Sequence, residues 1–409
     1  MRLLFAHDHR FFRGADGEVY STGCLPATAW TRYLEHFDEV RVIAREEGLA
    51  ADDARLALAS EKGVDFLFLP NLSSLHQLLF RSPELDKRLS SEIEAADAVV
   101  ARVPSEIGLL AIHHARRLGK PYAVEVVGCA WDGSFNHGTL SGRLYAPLAF
   151  LRMSRAVATA PLALYVTSAW LQRRYPTAGK AWNASNVELL PLDQQAADKR
   201  RDRLKSQKAG RPPVLGTIAS LRIKSKGIQT AFAALAQLRK EGINLSYRIL
   251  GTGSPEPWQG LAQKLGIADL VHFDGTRSAG EGVSAWLDEI DIHLQPSFQE
   301  GLPRSTIEAM SRGAACIGST CGGLPELLPP ERLHKPGDSA DLADRIRRLV
   351  RDPSLIIAAS EADRDTARQF DPAELKARRS KIYGELFKRA KGASPRGRRG
   401  PSASCKARD

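Results

Sequence analysis

Cysteine is scarce in this sequence. The 409 residues include five cysteines, an odd number, and no two of them form a C-x-x-C pair. No spacing of Cys and His matches a metal site, which argues against a structural zinc centre. Isolated thiols of this kind are typical of a reducing compartment. We therefore expect a cytoplasmic protein without a metal site. We also expect no cofactor.

Long apolar runs are also lacking. No 18 consecutive apolar residues occur, and the most apolar region, 144–166, is interrupted by Arg152, Arg155 and Pro161. A transmembrane helix needs about 20 such residues. Because Met1-Arg2 leads directly into an apolar stretch, we expect no signal peptide. Both absences predict a protein that stays in the cytoplasm, either free or bound peripherally to the cytoplasmic membrane face.

Negative charge is in deficit, but unevenly. The chain has 58 Lys and Arg against 47 Asp and Glu, a net charge of +11. Segment 199–211 has seven basic residues and one acidic, and segment 391–409 has six and one. The remainder is close to neutral, which excludes a uniformly basic nucleic-acid-binding protein. The two basic segments are either simply solvated or contact an anionic membrane surface.

Short apolar strands alternate with helical patterns along the whole chain. This pattern predicts an α/β fold with parallel, doubly wound sheets and ligands at the carboxyl ends of the strands. The length suits two domains rather than one. We predict a first domain (1–191), a basic linker without helical periodicity (192–211), a second domain (212–370), a helix (371–390) and a disordered tail (391–409). In the first domain the predicted strands are 2–7, 40–44, 64–69, 98–102, 122–127, 163–167 and 187–190.

One stretch of the second half, Pro296 to Leu328, has the features of a ligand site. A strand ends in a loop that carries Glu300. A helix then opens at Gly301-Leu302-Pro303, runs to about Arg312 and is stopped by Gly313. The first N–H groups of such a helix can bind an anion. A nearby carboxylate can accept hydrogen bonds from vicinal hydroxyls, so a phosphate with a sugar on each side fits. The alternative is an ordinary strand–helix–strand unit with solvated glutamates.

The motif resembles the donor-site signature of glycosyltransferase family 4, the group 1 glycosyltransferases of the GT-B superfamily. That signature is E, seven residues, E, then A-M, a Gly, an apolar strand and G-G-x-P-E. Every part is present, as Glu300, Glu308, Ala309-Met310, Gly313, Gly322-Gly323 and Pro325-Glu326. The resemblance covers most of 212–390 and the first domain only loosely.

This resemblance implies a GT-B fold, two facing Rossmann-like domains with a cleft between them. It also implies a retaining glycosyltransferase that moves a sugar from a nucleotide-diphosphate sugar to a hydroxyl of a glycan or lipid-linked acceptor. Polysaccharide or lipopolysaccharide assembly is the setting that the resemblance suggests. In a front-face reaction the departing phosphate takes the acceptor proton, so no protein base and no metal are expected.

The resemblance also implies roles in the second domain. Glu300 would hold the transferred sugar and Glu308 the ribose of the donor. Lys226, with Arg222 or Lys224, would neutralise the leaving diphosphate. The usual family arginine is replaced by Leu221, so Arg222 lies one place late. The remaining donor-binding candidates are Gly301, Leu302, Pro303, Arg304, Ser305, Thr306, Gly251, Gly253 and Thr276.

Acceptor-binding candidates lie in the first domain. The loop expected after the first strand contains His7, Asp8, His9 and Gly17. Its D-G-x-V-Y-S element is similar to polysaccharide-type members of the family. A solvated polar loop is the alternative. Many members have His-Gly where this chain has Val127-Gly128, so that histidine's role is not carried over. Asp132, Glu125 and Trp131 are candidate local substitutes.

Two other functions stay open at this stage. A catalytically silent nucleotide-sugar-binding partner subunit is favoured by Leu221 and Val127 but opposed by the intact pair of glutamates. A nucleotide-sugar epimerase of the same fold would invert C2 of the free donor without any acceptor. The donor base, the sugar, the acceptor and the linkage are not encoded in a motif that we can interpret.

Overall fold

The computed structural model of the protein describes residues 1–22, 25–49, 56–72, 82–136, 138–191, 194–206 and 212–393. Cys24, Cys405 and segment 394–409 of the predicted tail lie outside these ranges. Within them, no helix combines the length and apolarity needed to cross a bilayer.

The first sheet has a parallel core of seven strands. Its strands are β1 (Arg2–Arg13), β2 (Val19–Ser21), β3 (Glu39–Leu49), β4 (Ala57–Leu58), β5 (Val64–Leu69), β6 (Ala98–Val103), β7 (Tyr122–Val126), β8 (Leu162–Tyr165) and β9 (Lys180–Asn183). The parallel order is β5-β3-β1-β6-β7-β8-β9, and β2 and β4 add an antiparallel extension beside β1. Leu3 and Phe5 of β1 pack into one core cluster and Leu4 and Ala6 into another, so both faces are covered.

Helices on both faces of this sheet supply the rest of the first domain. They are α1 (Thr31–Leu34), α2 (Pro83–Ala95), α3 (Glu106–Arg117), α4 (Ala130–Phe135), α5 (Leu140–Ala158) and α6 (Trp170–Arg174). Ser105 and Thr139 accept hydrogen bonds from backbone N–H groups at the starts of α3 and α5, as N-cap residues do.

The second sheet is entirely parallel. It consists of β10 (Leu215–Ile218), β11 (Tyr247–Leu250), β12 (Val271–Phe273), β13 (Ile292–Gln295), β14 (Ala315–Ser319) and β15 (Leu333–His334), in the order β12-β11-β10-β13-β14-β15. The strand order reverses between β10 and β13, which creates a crevice at their carboxyl ends. The predicted architecture of two parallel, doubly wound sheets is therefore confirmed.

Eight helices belong to the second half of the described chain. They are α7 (Gln194–Ser206), α8 (Ile228–Lys240), α9 (Glu256–Lys264), α10 (Glu281–Asp288), α11 (Arg304–Ser311), α12 (Ser339–Arg351), α13 (Pro353–Ala367) and α14 (Pro372–Ala393). The last of these, α14, returns to the first domain. Tyr383 donates a hydrogen bond of 2.7 Å to buried Glu125, and Lys376 pairs with Glu35 at 2.8 Å.

Three local predictions were wrong. Strand β1 continues through His7, Asp8 and His9 to Arg13, because β3 and β2 extend the ladder beyond the apolar segment. These three residues are therefore not in a loop. The last strand of the first sheet is 180–183 rather than 187–190, where Val187 is buried without joining the ladder.

The third error concerns the predicted linker, which contains helix α7. Buried Arg200 of α7 donates hydrogen bonds to the carbonyl oxygens of Arg312 and Leu287. Arg203 pairs with the fully buried Asp291 at 2.5 Å. Part of the basic charge of 199–211 thus fixes this helix to the second domain instead of facing solvent. The predicted domain boundaries themselves stay a prediction.

Candidate active site

Lys226 and Glu300 form an ion pair at the carboxyl ends of β10 and β13. Lys226 Nζ lies 2.7 Å from Glu300 Oε1, and only 9% of the Glu300 side chain is exposed. The same oxygen accepts hydrogen bonds from Gln295 Nε2 at 2.9 Å and Ser297 Oγ at 2.7 Å. No residue in the described ranges donates to Oε2, which leaves that oxygen for a ligand.

Gly227 explains why these two charges meet. Its φ is 78°, and a Cβ there would lie 1.8 Å from the carbonyl oxygen of Pro296. Only glycine permits this approach without strain. Phe298 N also donates to the Ser225 carbonyl at 2.8 Å. The turn after β10 therefore packs directly on the end of β13 and carries Lys226 to Glu300.

Gln295, which belongs to none of the sequence motifs above, connects Glu300 to the start of α11. Its side chain is buried, with Nε2 on Glu300 and Oε1 accepting from Ser305 Oγ at 2.9 Å. His293 Nε2 lies 3.2 Å from the same Oε1. A signal did exist in the sequence, since Gln295 and Ser297 are polar residues at the end of a buried strand. Such groups need partners and often face a ligand.

Glu308 lies one turn inside α11, on the same helix as Arg304. Burial raises the pKa of its carboxyl group, and the charge of Arg304 opposes that rise. No hydrogen bond to the Glu308 carboxylate occurs within the part of the chain that the structure describes, although Ser311 Oγ donates to the Glu308 carbonyl oxygen at 2.7 Å. Pro303 precedes the helix and provides no side-chain cap for its first N–H groups. The start of α11 and the Glu308 carboxylate are thus both available to a ligand.

A glycine turn lies beside this crevice. Gly251 N donates to the Gly275 carbonyl at 2.7 Å, which brings the loop of Thr276 next to the end of β11. A Cβ at Gly253 would meet Arg222 Cγ at 3.1 Å, so the Arg222 stem crosses over that glycine. Arg222, Lys224 and Thr276 are exposed. Of the three side chains predicted to neutralise the diphosphate, Arg222, Lys224 and Lys226, only Lys226 contacts Glu300.

The first domain faces the crevice at close range. A Cβ at Gly301 would lie 2.3 Å from the Val127 carbonyl oxygen, and one at Gly323 would lie 2.9 Å from Thr167 Cγ2. Gly323 N donates to the Gly301 carbonyl at 2.7 Å. Leu302 packs against core residues of both domains. Gly301 and Gly323 therefore allow their two backbone segments to approach each other and the first domain.

Asp132 of α4 is an acceptor-binding candidate that acts on the same side chain, Cys321, as the Lys226–Glu300 pair. Burial raises the pKa of the Cys321 thiol to about 12, and charged groups of both domains also act on this thiol. Glu300 and Asp132 raise the thiol pKa further and Lys226 lowers it. Asp132 also lies 3.6 Å from Arg174. A carboxylate of the first domain therefore acts on the same thiol as Glu300 and Lys226 of the second domain.

The other acceptor-binding candidates are dispersed. Asp8 accepts hydrogen bonds from the N–H groups of Glu106 at 2.6 Å and Ile107 at 3.2 Å, so its carboxylate caps helix α3. Gly17 lies at the exposed turn between β1 and β2. His9 Nε2 lies 2.8 Å from Ser21 Oγ. These contacts give Asp8 and His9 structural roles that the sequence pattern did not indicate.

His7 differs from its neighbours because its Nδ1 is buried and has no hydrogen-bond partner in the described ranges. Burial and the nearby Arg102 guanidinium lower the pKa of His7 to about 3, and the same two causes lower the pKa of His9 to about 4. Both rings are therefore neutral at neutral pH. Within the described ranges, no group of three or more His, Cys, Asp or Glu could hold a metal ion. Metal independence stays a prediction.

Two parallel-sheet domains that meet across a crevice with this polar cluster define the GT-B class of glycosyltransferases. Crystal structures of HepE from Anabaena share the fold, with a TM-score of 0.65, 18% identity and coverage of 94% of this chain and 100% of that chain. The sequence profile of the group 1 glycosyl transferases matches residues 212–352.

Relatives in sequence extend the match to the first domain. Protein CapJ of Staphylococcus aureus is 30% identical over 352 residues, which cover 86% of each chain. The glycosyltransferase WcaL of Salmonella typhimurium is 31% identical over 178 residues, covering 40% of this chain and 43% of WcaL. The chain belongs to the group 1 glycosyltransferases, and it is an enzyme of the transferase class. Membership of this enzyme family does not favour the alternative of a catalytically silent, nucleotide-sugar-binding partner subunit.

Proposed function

We propose that this protein is a retaining glycosyltransferase that moves a sugar from a nucleotide-diphosphate sugar to a hydroxyl of a glycan or lipid-linked acceptor. The observation that carries the proposal is the Lys226–Glu300 pair, set between the turn after β10 and the start of α11. We assign the reaction to cell-surface polysaccharide biosynthesis. WcaL is named for colanic acid biosynthesis, which supports this setting.

A nucleotide-sugar donor fits the charges and hydrogen-bonding groups of the crevice. The α11 N-terminus and Lys226 are suited to a diphosphate, since unpaired N–H groups and an ammonium both favour negative charge. Glu300 Oε2 can accept a hydrogen bond from a sugar hydroxyl, and Glu308 from the ribose. HepE has been crystallised with UDP and with UDP-glucose, which supports a donor of this type.

Lys226 has the most direct role in the chemistry. As the bond between the anomeric carbon and the phosphate oxygen breaks, negative charge grows on the diphosphate. An ammonium already held in a shielded site stabilises that charge by about 3 kcal/mol without reorganisation. Its partner Glu300 keeps it in place before the donor arrives, and Gln295 and Ser297 hold Glu300 in turn.

The acceptor enters from the first domain in this scheme. Its hydroxyl attacks the anomeric carbon on the face that the phosphate leaves, and its proton passes to a phosphate oxygen. The configuration is then retained and no protein base is required. We assign the orientation of acceptor hydroxyls to Asp132, which is supported by its action on the same thiol as Glu300 and Lys226. The unpartnered Nδ1 of His7 is a second candidate.

Thermal unfolding in the presence of UDP-, GDP-, ADP- and CMP-sugars tests the donor site. A ligand at about 100 times its dissociation constant stabilises the fold by about 2.7 kcal/mol, which is visible as a melting shift. One nucleotide should stand out, and Glu308→Ala should remove its effect. If none shifts the melting temperature of folded protein, the donor assignment is wrong.

Product analysis by NMR then separates the candidate reactions. Retention is supported if the glycosidic bond of the product has the same anomeric configuration, axial or equatorial, as the donor. A product of inverted anomeric configuration overturns it. Inversion at C2 of the free donor without acceptor would instead identify an epimerase. Donor binding without turnover on any hydroxyl acceptor would identify a binding subunit. Unchanged activity in EDTA would support metal independence, and loss of activity would refute it.

A further inference from the structure

Helix α5 has an unusual distribution of apolar residues. Leu140, Leu144, Leu148 and Leu151 are 73%, 74%, 51% and 43% exposed. Their spacings of four, four and three residues place them on one side of the helix. The opposite side packs into the core through Ala146, Ala149, Met153 and Val157. We call the four exposed leucines the leucine stripe.

Such a stripe is not expected on a helix whose outer side only faces water. Surface helices of water-soluble domains carry polar residues on the side away from the core. A contiguous exposed apolar strip of this kind marks an interaction surface. The stripe needs a partner that can take up leucine side chains along about three helical turns, since residues 140–151 rise about 1.5 Å each.

The charge around the stripe indicates which partner. From Gly133 to Val187 the sequence contains no Asp or Glu, and it contains six basic residues, Arg143, Arg152, Arg155, Arg173, Arg174 and Lys180. Arg143 and Arg155 are exposed on α5 itself. Neither of them forms an ion pair with a residue in the described ranges. Arg152, Arg174 and Lys180 pair with Glu106, Asp132 and Glu385. The positive charge beside the stripe is therefore that of Arg143 and Arg155.

A basic groove of about 710 Å³ adjoins α5, between α2 and α3. Arg155 lines it together with Arg116 and His113 of α3. Among the described residues that line it, Asp86 is the one acidic residue. Its neighbour His114, at 3.1 Å, does not cancel that charge, because burial lowers the pKa of the imidazole. Arg152 is also there, but its charge is matched by Glu106 at 2.6 Å. With Arg116 and Arg155 against the single carboxylate of Asp86, the groove adds a net positive charge at the end of the stripe.

We propose that α5 docks on the surface of an anionic lipid bilayer. The leucine stripe would enter the boundary between headgroups and acyl chains, as the apolar side of an interfacial helix does. Arg143, Arg155 and the basic groove would contact lipid phosphates. A second copy of the chain is a poorer partner, because two such surfaces would bring arginines of like charge together.

The docking surface is continuous with the candidate active site. Arg143 lies over the Phe135 ring at 5.6 Å, and Phe135 stacks on Trp131, the neighbour of Asp132 in α4. Gly128, just before α4, lies within 3.6 Å of the Cβ position of Gly301. One further step rests on the proposed function: a lipid-linked acceptor would reach the cleft from the bilayer along α4.

Co-sedimentation of the full chain with vesicles tests the docking surface. We expect binding to vesicles of equal parts phosphatidylglycerol and phosphatidylcholine, weakened by salt, and little binding to phosphatidylcholine alone. The double variant L144Q/L148Q should bind anionic vesicles at least about 10-fold more weakly. Replacement of either Arg143 or Arg155 by Gln should weaken binding to the anionic vesicles about 5-fold.

Leu355→Gln on α13 is the matched control, because Leu355 is 44% exposed and far from α5 in sequence. It should bind like the wild type. The proposal is overturned if the wild type stays in the supernatant with anionic vesicles, or if L144Q/L148Q binds as well as the wild type. A dimer in analytical ultracentrifugation that only L144Q/L148Q dissociates, without lipid binding, would assign the stripe to self-association.

The vesicle experiment is independent of the donor. It is carried out without nucleotide, and L144Q/L148Q should show the same thermal shift with a nucleotide sugar as the wild type. A protein that binds vesicles but no nucleotide sugar would refute the proposed function and leave the docking surface intact. The reverse result would refute only the docking surface.

Discussion

Glu326 of the second domain accepts two hydrogen bonds from Ser168 of the first, each of 2.6 Å, from the backbone N–H and from Oγ. Its other oxygen accepts from the N–H groups of Ala169 at 3.0 Å and Trp170 at 2.5 Å. These N–H groups are at the start of α6. A carboxylate of one domain therefore caps a helix of the other, which holds the G-G-x-P-E segment against the first domain.

Removal of this cap should loosen the contact between the domains. In Glu326→Ala, four hydrogen-bond donors lose a charged acceptor in a partly exposed site. We expect the free energy of unfolding to fall by about 1–3 kcal/mol. Hydrogen exchange should accelerate at residues 168–170. Glu331→Ala, at an exposed glutamate nearby, should leave exchange unchanged. Equal exchange in Glu326→Ala and wild type would show that the cap contributes nothing.

Lys226→Ala should reduce catalysis more than binding. The lysine acts on charge that grows as the phosphate leaves, so its loss should lower kcat by about 10²–10³. A smaller change in KM is expected, because the α11 N-terminus still contacts the donor. Lys240→Ala, at an exposed lysine that ends α8, is the control. Steady-state kinetics that show a raised KM with unchanged kcat would refute this role.

Glu308→Gln should have opposite effects on stability and on binding. Burial raises the pKa of Glu308 in the folded state, so ionisation costs stability once the pH exceeds the unfolded value of about 4.3. The neutral amide avoids this cost, and the variant without ligand should melt above the wild type at neutral pH. The gain should vanish below the unfolded pKa.

Donor affinity should fall in the same Glu308→Gln variant, because an amide accepts fewer hydrogen bonds from two ribose hydroxyls than a carboxylate does. Calorimetric titration with the nucleotide sugar found in the thermal panel measures this. An unchanged dissociation constant would contradict the assignment of Glu308 to the ribose, whatever the effect on melting.

His7 should make the fold sensitive to acid. Its folded pKa of about 3 lies below the unfolded value of about 6.5, so the unfolded chain binds more protons between these values. Stability contributed by the neutral ring is complete above about pH 6.5 and declines as the pH falls, by about 2 kcal/mol at pH 5. The His7→Gln variant should show a flatter decline in urea unfolding.

The comparison with His7→Gln requires a histidine that is exposed in the folded state. His113→Gln on α3 is suitable, since His113 is exposed, and its decline should match that of the wild type. If His7→Gln and the wild type lose stability in parallel from about pH 7 to about pH 5, burial of His7 is not the source of the acid sensitivity.

The fold class followed from the sequence because apolar strands and amphipathic helices leave a local, periodic pattern. Seven residues between Glu300 and Glu308 placed both on the unit β13–α11, and Gly227 marked the turn of Lys226. The segments that were mispredicted depend on distant partners. β1 is long because β2 and β3 continue beside it, and α7 is held by Arg200 on the carbonyl oxygens of Arg312 and Leu287.

By itself, the sequence determined two parallel-sheet domains, the strand–loop–helix that carries Glu300 and Glu308, and the basic turn of Lys226, since each is encoded within a short segment. Only the tertiary structure decided that Asp8 caps α3, that Gln295 links Glu300 to α11, and that Glu326 joins the domains at Ser168. It also decided which side of α5 faces outward. These relationships join residues that are far apart along the chain or depend on which surface the core covers, and no local pattern encodes either.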